Sequence, residues 1–353
     1  MKIIQVMPEF ALAGAEIMCE NLTYELVKAG HDVVVVSMYT IHTPITDRLE
    51  AFGVKLEYLD KKTGFDFSVF KKMKKLFKKE KPDVVHTHRY SILYAMPMAI
   101  LCGVKRRIHT IHSVAQKENG KFARKVNKIF FECFSVTPVA LSSVVQATIV
   151  DEYKINYAKI PIVLNGVDID KFSKKSDYHI SDKINIMHIG RFHESKNHVG
   201  LINAFELVHQ KYPEAILNLY GEGPLFHEIK KLVVNKSLSD FVIFHGTIDD
   251  IACKFIENDI FCLPSNYEGV PMTLIEAMAV AMPIVATNVG GIPDMLENEK
   301  DALLCDVNSD AVAKCLIRLI DSEELRQTLG KNALNRSSEF SSYSMAKKYL
   351  DLY

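Results

Sequence analysis

The chain has no excess of either charge, no paired-cysteine motif, no dinucleotide fingerprint and no apolar run long enough to cross a bilayer. Its 353 residues carry 43 basic and 43 acidic side chains, so bulk charge points neither to nucleic acid nor to an acidic tail. Seven cysteines are scattered without a C-x-x-C pair or ligand spacing. They read as reduced, small apolar fillers of a cytoplasmic protein, not as a disulfide frame or a metal site. The apolar stretch in MKIIQVMPEF stops at Pro8 and is too short for a signal peptide. The longest apolar stretches, Ser91 to Val104 and Val270 to Val289, are too short or broken by Pro271, Glu276 and Pro283.

What the chain does have is alternation. Short β-type apolar runs, each followed by a helical pattern, occur at Ile3–Met7, Val33–Ser37, Val84–His86, Arg107–Thr110 and Pro138–Leu141. A second series occupies Ile184–Ile189, Ile216–Tyr220, Val242–His245, Ile260–Leu263 and Pro283–Ala286. Near-continuous apolar strands separated by helices predict parallel sheets covered on both faces. The length exceeds what one core usually fills. Two doubly wound α/β domains are therefore expected, with a boundary near Asn165–Asp168 and a polar, hinge-like linker through Lys171–Asp182. Ligands of such sheets bind at the carboxyl ends of the strands.

The most informative segment is EGVPMTLIE, bracketed by Glu268 and Glu276. Pro271 suits the first position of a helix, which leaves the amides of Met272, Thr273 and Leu274 free to attract an anion. Eight residues of helix rise about 12 Å, too far for a retaining glycosidase dyad at about 5 Å. The two carboxylates are then two unlike contacts, one to a reacting sugar and one to neutral hydroxyls such as a ribose, or ordinary carboxylates at a helix start.

Upstream, the loop GRFHESKN presents Arg191 and Lys196 toward one strand end, a pairing suited to pyrophosphate or to a solvated basic loop. Gly221 in YGEGP and Gly246 in HGT each close a strand, as does the Gly290–Gly291 pair. Such glycines fit close backbone approach to a ligand or a bare turn. In the first half, Gly14 lies in ALAGAEIMCENL, which is not G-x-G-x-x-G and makes a dehydrogenase a weak reading. His86-x-His88 and His109-x-x-His112 end two strands. No carboxylate or cysteine lies close enough in sequence to complete a metal site, and no metal is expected. Two basic stretches, Lys71–Lys79 and Lys117–Lys128, fit helices that lie on an anionic membrane surface or solvated surface helices.

GRFHESKN, YGEGP, HG and EGVPMTLIEAMA, in this order and each after an expected strand, resemble the donor-binding domain of the retaining family 4 glycosyltransferases, with the GT-B fold. AGAE at Ala13–Glu16 extends the likeness to nearly the whole chain, although Ala13 stands where the family more often has a glycine. The resemblance implies an acceptor-binding Rossmann-like domain at 1–166, a donor-binding one at 167–338, and a C-terminal helix at 339–353 that packs on the first. It implies that the residues matching Arg191 and Lys196 bind the donor diphosphate, the one matching Glu276 the ribose, and those matching Glu268 and His112 the transferred sugar. Gly14, Gly221, Gly246 and the backbone of Gly269, Val270, Pro271, Met272, Thr273 and Leu274 complete the donor site. The implied reaction is retaining transfer of a hexosyl group from a nucleotide diphosphate sugar, a uridine or guanosine diphosphate sugar by resemblance, to a hydroxyl acceptor. The family acts in bacterial surface polysaccharide and glycolipid synthesis. A lipid-linked or growing saccharide acceptor is expected, with no cofactor beyond the co-substrate, no nucleic-acid partner, and a location in the cytoplasm or on the inner face of the plasma membrane. Two other readings are a nucleotide-sugar-binding scaffold without turnover and a GT-B-like sugar-nucleotide epimerase.

Overall fold

The computed structural model describes every residue except Leu12, Asp249 and Asp250. The chain divides into two compact units, Met1–Val167 with Ser342–Tyr353, and Asp168–Ser341. Each is built on a six-stranded parallel sheet.

In the first unit the strands are β1 Lys2–Met7, β2 Asp32–Ser37, β3 Lys55–Tyr58, β4 Val84–His88, β5 Arg106–Ile111 and β6 Val136–Ala140, in the order β3-β2-β1-β4-β5-β6. The central strands are buried along almost their whole length because helices cover both faces, which is why they read as unbroken apolar runs. Pro138 is tolerated in β6 because that strand lies at the sheet edge, where a missing N–H breaks no inner ladder. The terminal helix Ser342–Leu352 belongs to this unit. Its start is held by Ser342 N–H donating to the Val167 carbonyl at 2.7 Å. Beyond that, Tyr349 OH lies 2.8 Å from Thr110 Oγ1 and Tyr353 OH lies 2.7 Å from His86 Nδ1, all among buried groups.

The second unit contains β7 Ile184–Ile189, β8 Ala215–Tyr220, β9 Val242–Gly246, β10 Ile260–Leu263, β11 Ile284–Thr287 and β12 Leu303–Cys305. Their order is β12-β11-β10-β7-β8-β9. The chain winds outward from β7 through β8 and β9, then returns to β10 on the other side. The strand order therefore reverses between β7 and β10, the place where a doubly wound sheet opens a crevice.

The segment Lys171–Asp182 is polar in composition but is not a free linker. Phe172 and Tyr178 are buried. Lys175 N–H donates to the Val280 carbonyl at 2.7 Å, Tyr178 OH donates to the Ala281 carbonyl at 3.0 Å, and Arg326 donates twice to the Tyr178 carbonyl. Two aromatic anchors and backbone pairing strap it to the second unit. Among the described residues, no helix is long and apolar enough to cross a membrane.

Candidate active site

The loop after β7 and the loop after β10 flank the reversal of strand order in the second unit, and they are tied to each other. Asn197 adopts a left-handed backbone (φ 52°) and caps the helix His198–Lys211 by accepting from Gly200 N–H at 3.1 Å. Its side-chain amide donates to the Pro264 carbonyl at 3.0 Å. Asn266 returns the tie, its backbone N–H donating to the Ser195 carbonyl at 2.9 Å and its amide to the Glu194 carbonyl at 2.7 Å. These contacts hold Lys196 against Glu268.

The Lys196 ammonium donates to Glu268 Oε1 at 2.5 Å, and the Ser265 hydroxyl donates to the same oxygen at 2.6 Å. Glu268 is 7% exposed. The Lys196 stem runs over Gly190, where a Cβ would lie 3.2 Å from Lys196 Cγ. Behind Glu268, the Gly290–Gly291 turn packs against the glutamate's own backbone: Gly291 N–H donates to the Glu268 carbonyl at 3.3 Å. Gly290 has φ +58°, and a Cβ on it would fall 1.8 Å from that carbonyl oxygen. Gly290 is thus required by protein backbone. Gly221 has a similar cause, since it has φ +126° and a Cβ there would sit 2.3 Å from the Gly190 carbonyl oxygen. Gly221 N–H also donates to the Gly246 carbonyl at 2.7 Å, so the ends of β7, β8 and β9 are stitched together.

Arg191 is exposed on the same loop as Lys196. The helix Met272–Ala279 starts one residue later than expected, because Pro271 is extended (ψ 118°) and serves as its N-cap. Met272 and Thr273 therefore point their amides out of a helix end with no carbonyl one turn behind them, whereas the Leu274 amide, expected to be free as well, donates to the Pro271 carbonyl at 3.1 Å. The Thr273 hydroxyl is buried and has no hydrogen-bond partner among the described residues. Glu276 lies half-buried within the helix; burial raises its carboxyl above the ordinary value, against a weaker opposing pull from Lys171. Two cations on the loop after β7 and the helix start after β10 thus flank the same reversal of strand order, a setting suited to an anionic ligand.

In the first unit, Gly14 opens the helix Gly14–Lys28 with Ala13 as an extended N-cap. Leu12, in the same loop, lies outside the described residues. Glu16 is fully buried and bonded to Arg89 Nη1 at 2.7 Å, an ion pair spanning the reversal between β1 and β4. His86 uses both ring nitrogens, on Tyr353 and Thr110. His112 Nε2 lies 3.0 Å from His88 Nδ1, and His112 N–H donates to Glu118 Oε1 at 3.3 Å. Burial holds the His112 imidazole down to about 3, so it is neutral at physiological pH.

Sequence reasoning overlooked Ser265 and the packing role of Gly290. Ser265 had a weak signal, a hydroxyl one residue past a strand-end proline. Gly290 was visible only as half of an ambiguous glycine pair.

Two six-stranded parallel α/β units define the GT-B class of fold. The matching family models are "Glycosyl transferases group 1", over residues 170–336, and "Glycosyltransferase Family 4", over residues 12–171. An Escherichia coli protein described as UDP-Gal:alpha-D-GlcNAc-diphosphoundecaprenol alpha-1,3-galactosyltransferase is 27% identical over 300 residues, covering 79% of this chain and 77% of the relative. The Bacillus anthracis N-acetyl-alpha-D-glucosaminyl L-malate synthase is 29% identical over 308 residues, covering 82% and 79%. Among solved structures, Anabaena Alr3699/HepE in complex with UDP and glucose superposes with a TM-score of 0.85 at 17% identity, covering 99% of this chain and 98% of that one. The chain belongs to the family 4 glycosyltransferases of the GT-B fold and is an enzyme of the hexosyltransferase type.

Proposed function

We propose that this enzyme moves a sugar, with retention of anomeric configuration, from a nucleotide diphosphate sugar to a hydroxyl of a lipid-linked or growing polysaccharide acceptor. The observation that carries the reading is the Lys196–Glu268 pair beside the Met272 helix start, at the strand reversal of the second unit. In this reading the second unit holds the donor and the first unit the acceptor. Arg191, Lys196 and the amides of Met272 and Thr273 face the diphosphate. Glu276 accepts from the ribose hydroxyls, as a carboxylate or a carboxylic acid alike. Glu268 serves the transferred sugar, and His112 is assigned to the same sugar by resemblance.

The bond from the anomeric carbon to the diphosphate oxygen breaks, and the acceptor oxygen bonds to that carbon on the same face. The acceptor proton passes to the departing diphosphate. Negative charge grows on the diphosphate as the bond breaks, and preorganised cations and amides stabilise it there without reorganisation. These groups supply the charge that a divalent metal would otherwise provide. Uridine diphosphate is the first donor base to test, since a similar galactosyltransferase is named for UDP-Gal and a structural neighbour was solved with UDP.

The lipid-linked acceptor is supported by two exposed basic faces on the first unit. The helix Ser68–Glu80 buries Val69, Met73, Leu76 and Phe77 and turns Lys71, Lys75, Lys78 and Lys79 outward. The helix Lys121–Cys133 exposes Lys121 and Lys125, with Phe122 80% exposed, and Phe65 and Phe67 are 61% and 77% exposed. Exposed lysines and bare aromatic rings suit an anionic membrane surface, each cation contributing about 1 kcal/mol near it.

Labelled uridine and guanosine diphosphate sugars incubated with the protein and a membrane lipid extract test the reading. Label transferred to extractable lipid or saccharide is expected. Isomerised donor without transfer would replace the reading with an epimerase, and donor binding without turnover would replace it with a scaffold.

A further inference from the structure

Lys61 is a buried cation without a carboxylate. It is 7% exposed, on the loop after β3. Its ammonium donates to the Tyr39 hydroxyl at 3.2 Å, to the Lys62 carbonyl at 2.8 Å and to the Gly64 carbonyl, all neutral acceptors. It lies 5.1 Å from the centroid of the Tyr39 ring and 5.5 Å from that of Tyr94. No ion pair to Lys61 is found among the described residues. Glu9 acts through space on the Tyr39 and Tyr90 phenols. The three acceptors use all three N–H groups of the Lys61 ammonium, but ring faces and carbonyls carry no net negative charge, so among the described residues the cation has no ionic partner.

That charge sits in the wall of a cavity of about 360 Å³, within the size range of ligand pockets. Its lining includes Tyr39, Phe65, Tyr90, Leu93, Tyr94 and Ala123. These residues follow the carboxyl ends of β2, β3, β4 and β5, the side of a parallel sheet on which ligands bind. The neighbouring Tyr90 phenol first, and the hydrogen bond from Lys61 second, draw the Tyr39 phenol below its ordinary value.

From the buried, carboxylate-free Lys61 ammonium and the aromatic cavity around it, we propose that this cavity takes the phosphate-bearing head of an amphiphilic acceptor, with the adjoining apolar chain against Phe65, Leu93 and Ala123. A point-charge ammonium suits a compact phosphate better than a carboxylate, for which a guanidinium fork is the better match. The rim is open and apolar, Phe65 being 61% exposed, so a chain can leave the cavity toward a lipid phase. The assignment rests on the acceptor reading above and names its chemical class.

Hexyl phosphate, hexanol and inorganic phosphate are the probes, titrated calorimetrically into the full chain, with uridine and guanosine diphosphate titrated separately. Hexyl phosphate is expected to bind at least about tenfold more tightly than either other probe, equivalent to 1.4 kcal/mol. Lys61→Met should lose at least that factor and Lys61→Arg should retain most of the affinity. Ala123→Glu, which sets a carboxylate in the wall and changes no core position, should lose it as well and carries the test if Lys61→Met does not fold. Unchanged hexyl phosphate binding in both Lys61→Met and Ala123→Glu overturns the proposal, as does inorganic phosphate binding as tightly as hexyl phosphate. If the wild-type chain binds neither nucleoside diphosphate, the donor reading fails instead, whatever the cavity does. In transfer assays, label in the organic phase identifies a lipid source of the phosphate, and label on a water-soluble sugar phosphate identifies a free one.

Discussion

Lys196 and Glu268 are 72 residues apart in the chain, yet their side chains meet at 2.5 Å beside the crevice between β7 and β10. Lys196 is 19% exposed at its side chain and Glu268 8%, so the contact is screened less than a surface pair. The cation assigned to the diphosphate and the carboxylate assigned to the sugar form one unit whose members orient each other.

Lys196→Ala should therefore lower kcat/KM for the nucleotide sugar by about 10²-fold or more, with much of the loss in donor affinity. Glu268→Gln keeps the shape and the hydrogen bond from Ser265 but removes the charge, and it should lower kcat more than donor affinity. The two changes together should cost clearly less than the sum of the single effects, because each single change already disables the shared unit. Steady-state kinetics of the four proteins decide it. Lys196→Ala with unaltered donor affinity and turnover would exclude Lys196 from the diphosphate site.

Gly290 sets the backbone under Glu268. Gly290→Ala forces a Cβ to 1.8 Å from the Glu268 carbonyl oxygen at a left-handed φ of +58°, so the loop must move. A loss of about 2 kcal/mol or more in stability is expected, from steric overlap together with strain. Gly269→Ala is the contrast: no atom lies within 4 Å of a Cβ there, so its stability should stay within about 0.5 kcal/mol of the parent. Denaturant midpoints of the two variants separate packing under the glutamate from mere loss of a glycine.

Glu80 offers a pH test remote from the site. It accepts from Lys2 and Lys55, each at 2.6 Å, and hydrogen bonds from Lys2 first and Lys55 second push its carboxyl down to about 2. A depressed folded value means that its contribution is complete above the ordinary value of 4.5 and is lost as pH falls toward 2. Both lysines are partly solvated, so the contribution is on the order of 1 kcal/mol. Glu80→Gln should lower the melting temperature at pH 7 and flatten its fall between pH 5 and pH 2. Parallel melting curves for both proteins across that window would refute the assignment.

The central strands were legible because helices on both faces leave no polar position, and the apolar runs at Ile184–Ile189 and Ile260–Leu263 coincide with β7 and β10. The edge strands β3 and β12 were not, being four and three residues long with partly exposed side chains. Composition also misled at Lys171–Asp182, where charge outweighed two aromatic anchors. At the site, order and spacing placed Arg191, Lys196, Glu268 and Glu276 on their loops and helix, since each follows a strand end. The Lys196–Glu268 contact depends on the parallel pairing of β7 with β10 and the Gly290 packing on that of β10 with β11, which no local pattern encodes. Lys61 and Lys62 are indistinguishable in LDKKTGF, and only burial separates the cavity cation from its exposed neighbour.

Membrane docking is testable on the helix Ser68–Glu80, where the candidate charges are separable from the fold. Lys72 donates to the Leu59 carbonyl at 2.6 Å and Lys79 approaches Glu57 at 3.6 Å, so these two are partly committed to structure. Lys71, Lys74, Lys75 and Lys78 show no ion pair among the described residues. Reversing Lys74, Lys75 and Lys78 to Glu changes their interaction with an anionic surface by about 2 kcal/mol each at full contact, and by less where screening intervenes. Flotation with phosphatidylglycerol-rich vesicles should then drop at least tenfold for the triple variant at low salt. Binding of the parent should weaken as salt rises from 50 to 300 mM, and neutral vesicles should retain little of either protein. The melting temperature should remain near that of the parent, because Val69, Met73, Leu76 and Phe77 hold the buried face unchanged. Equal flotation of variant and parent would remove this helix from the docking surface and leave the Lys121–Cys133 helix as the face to test.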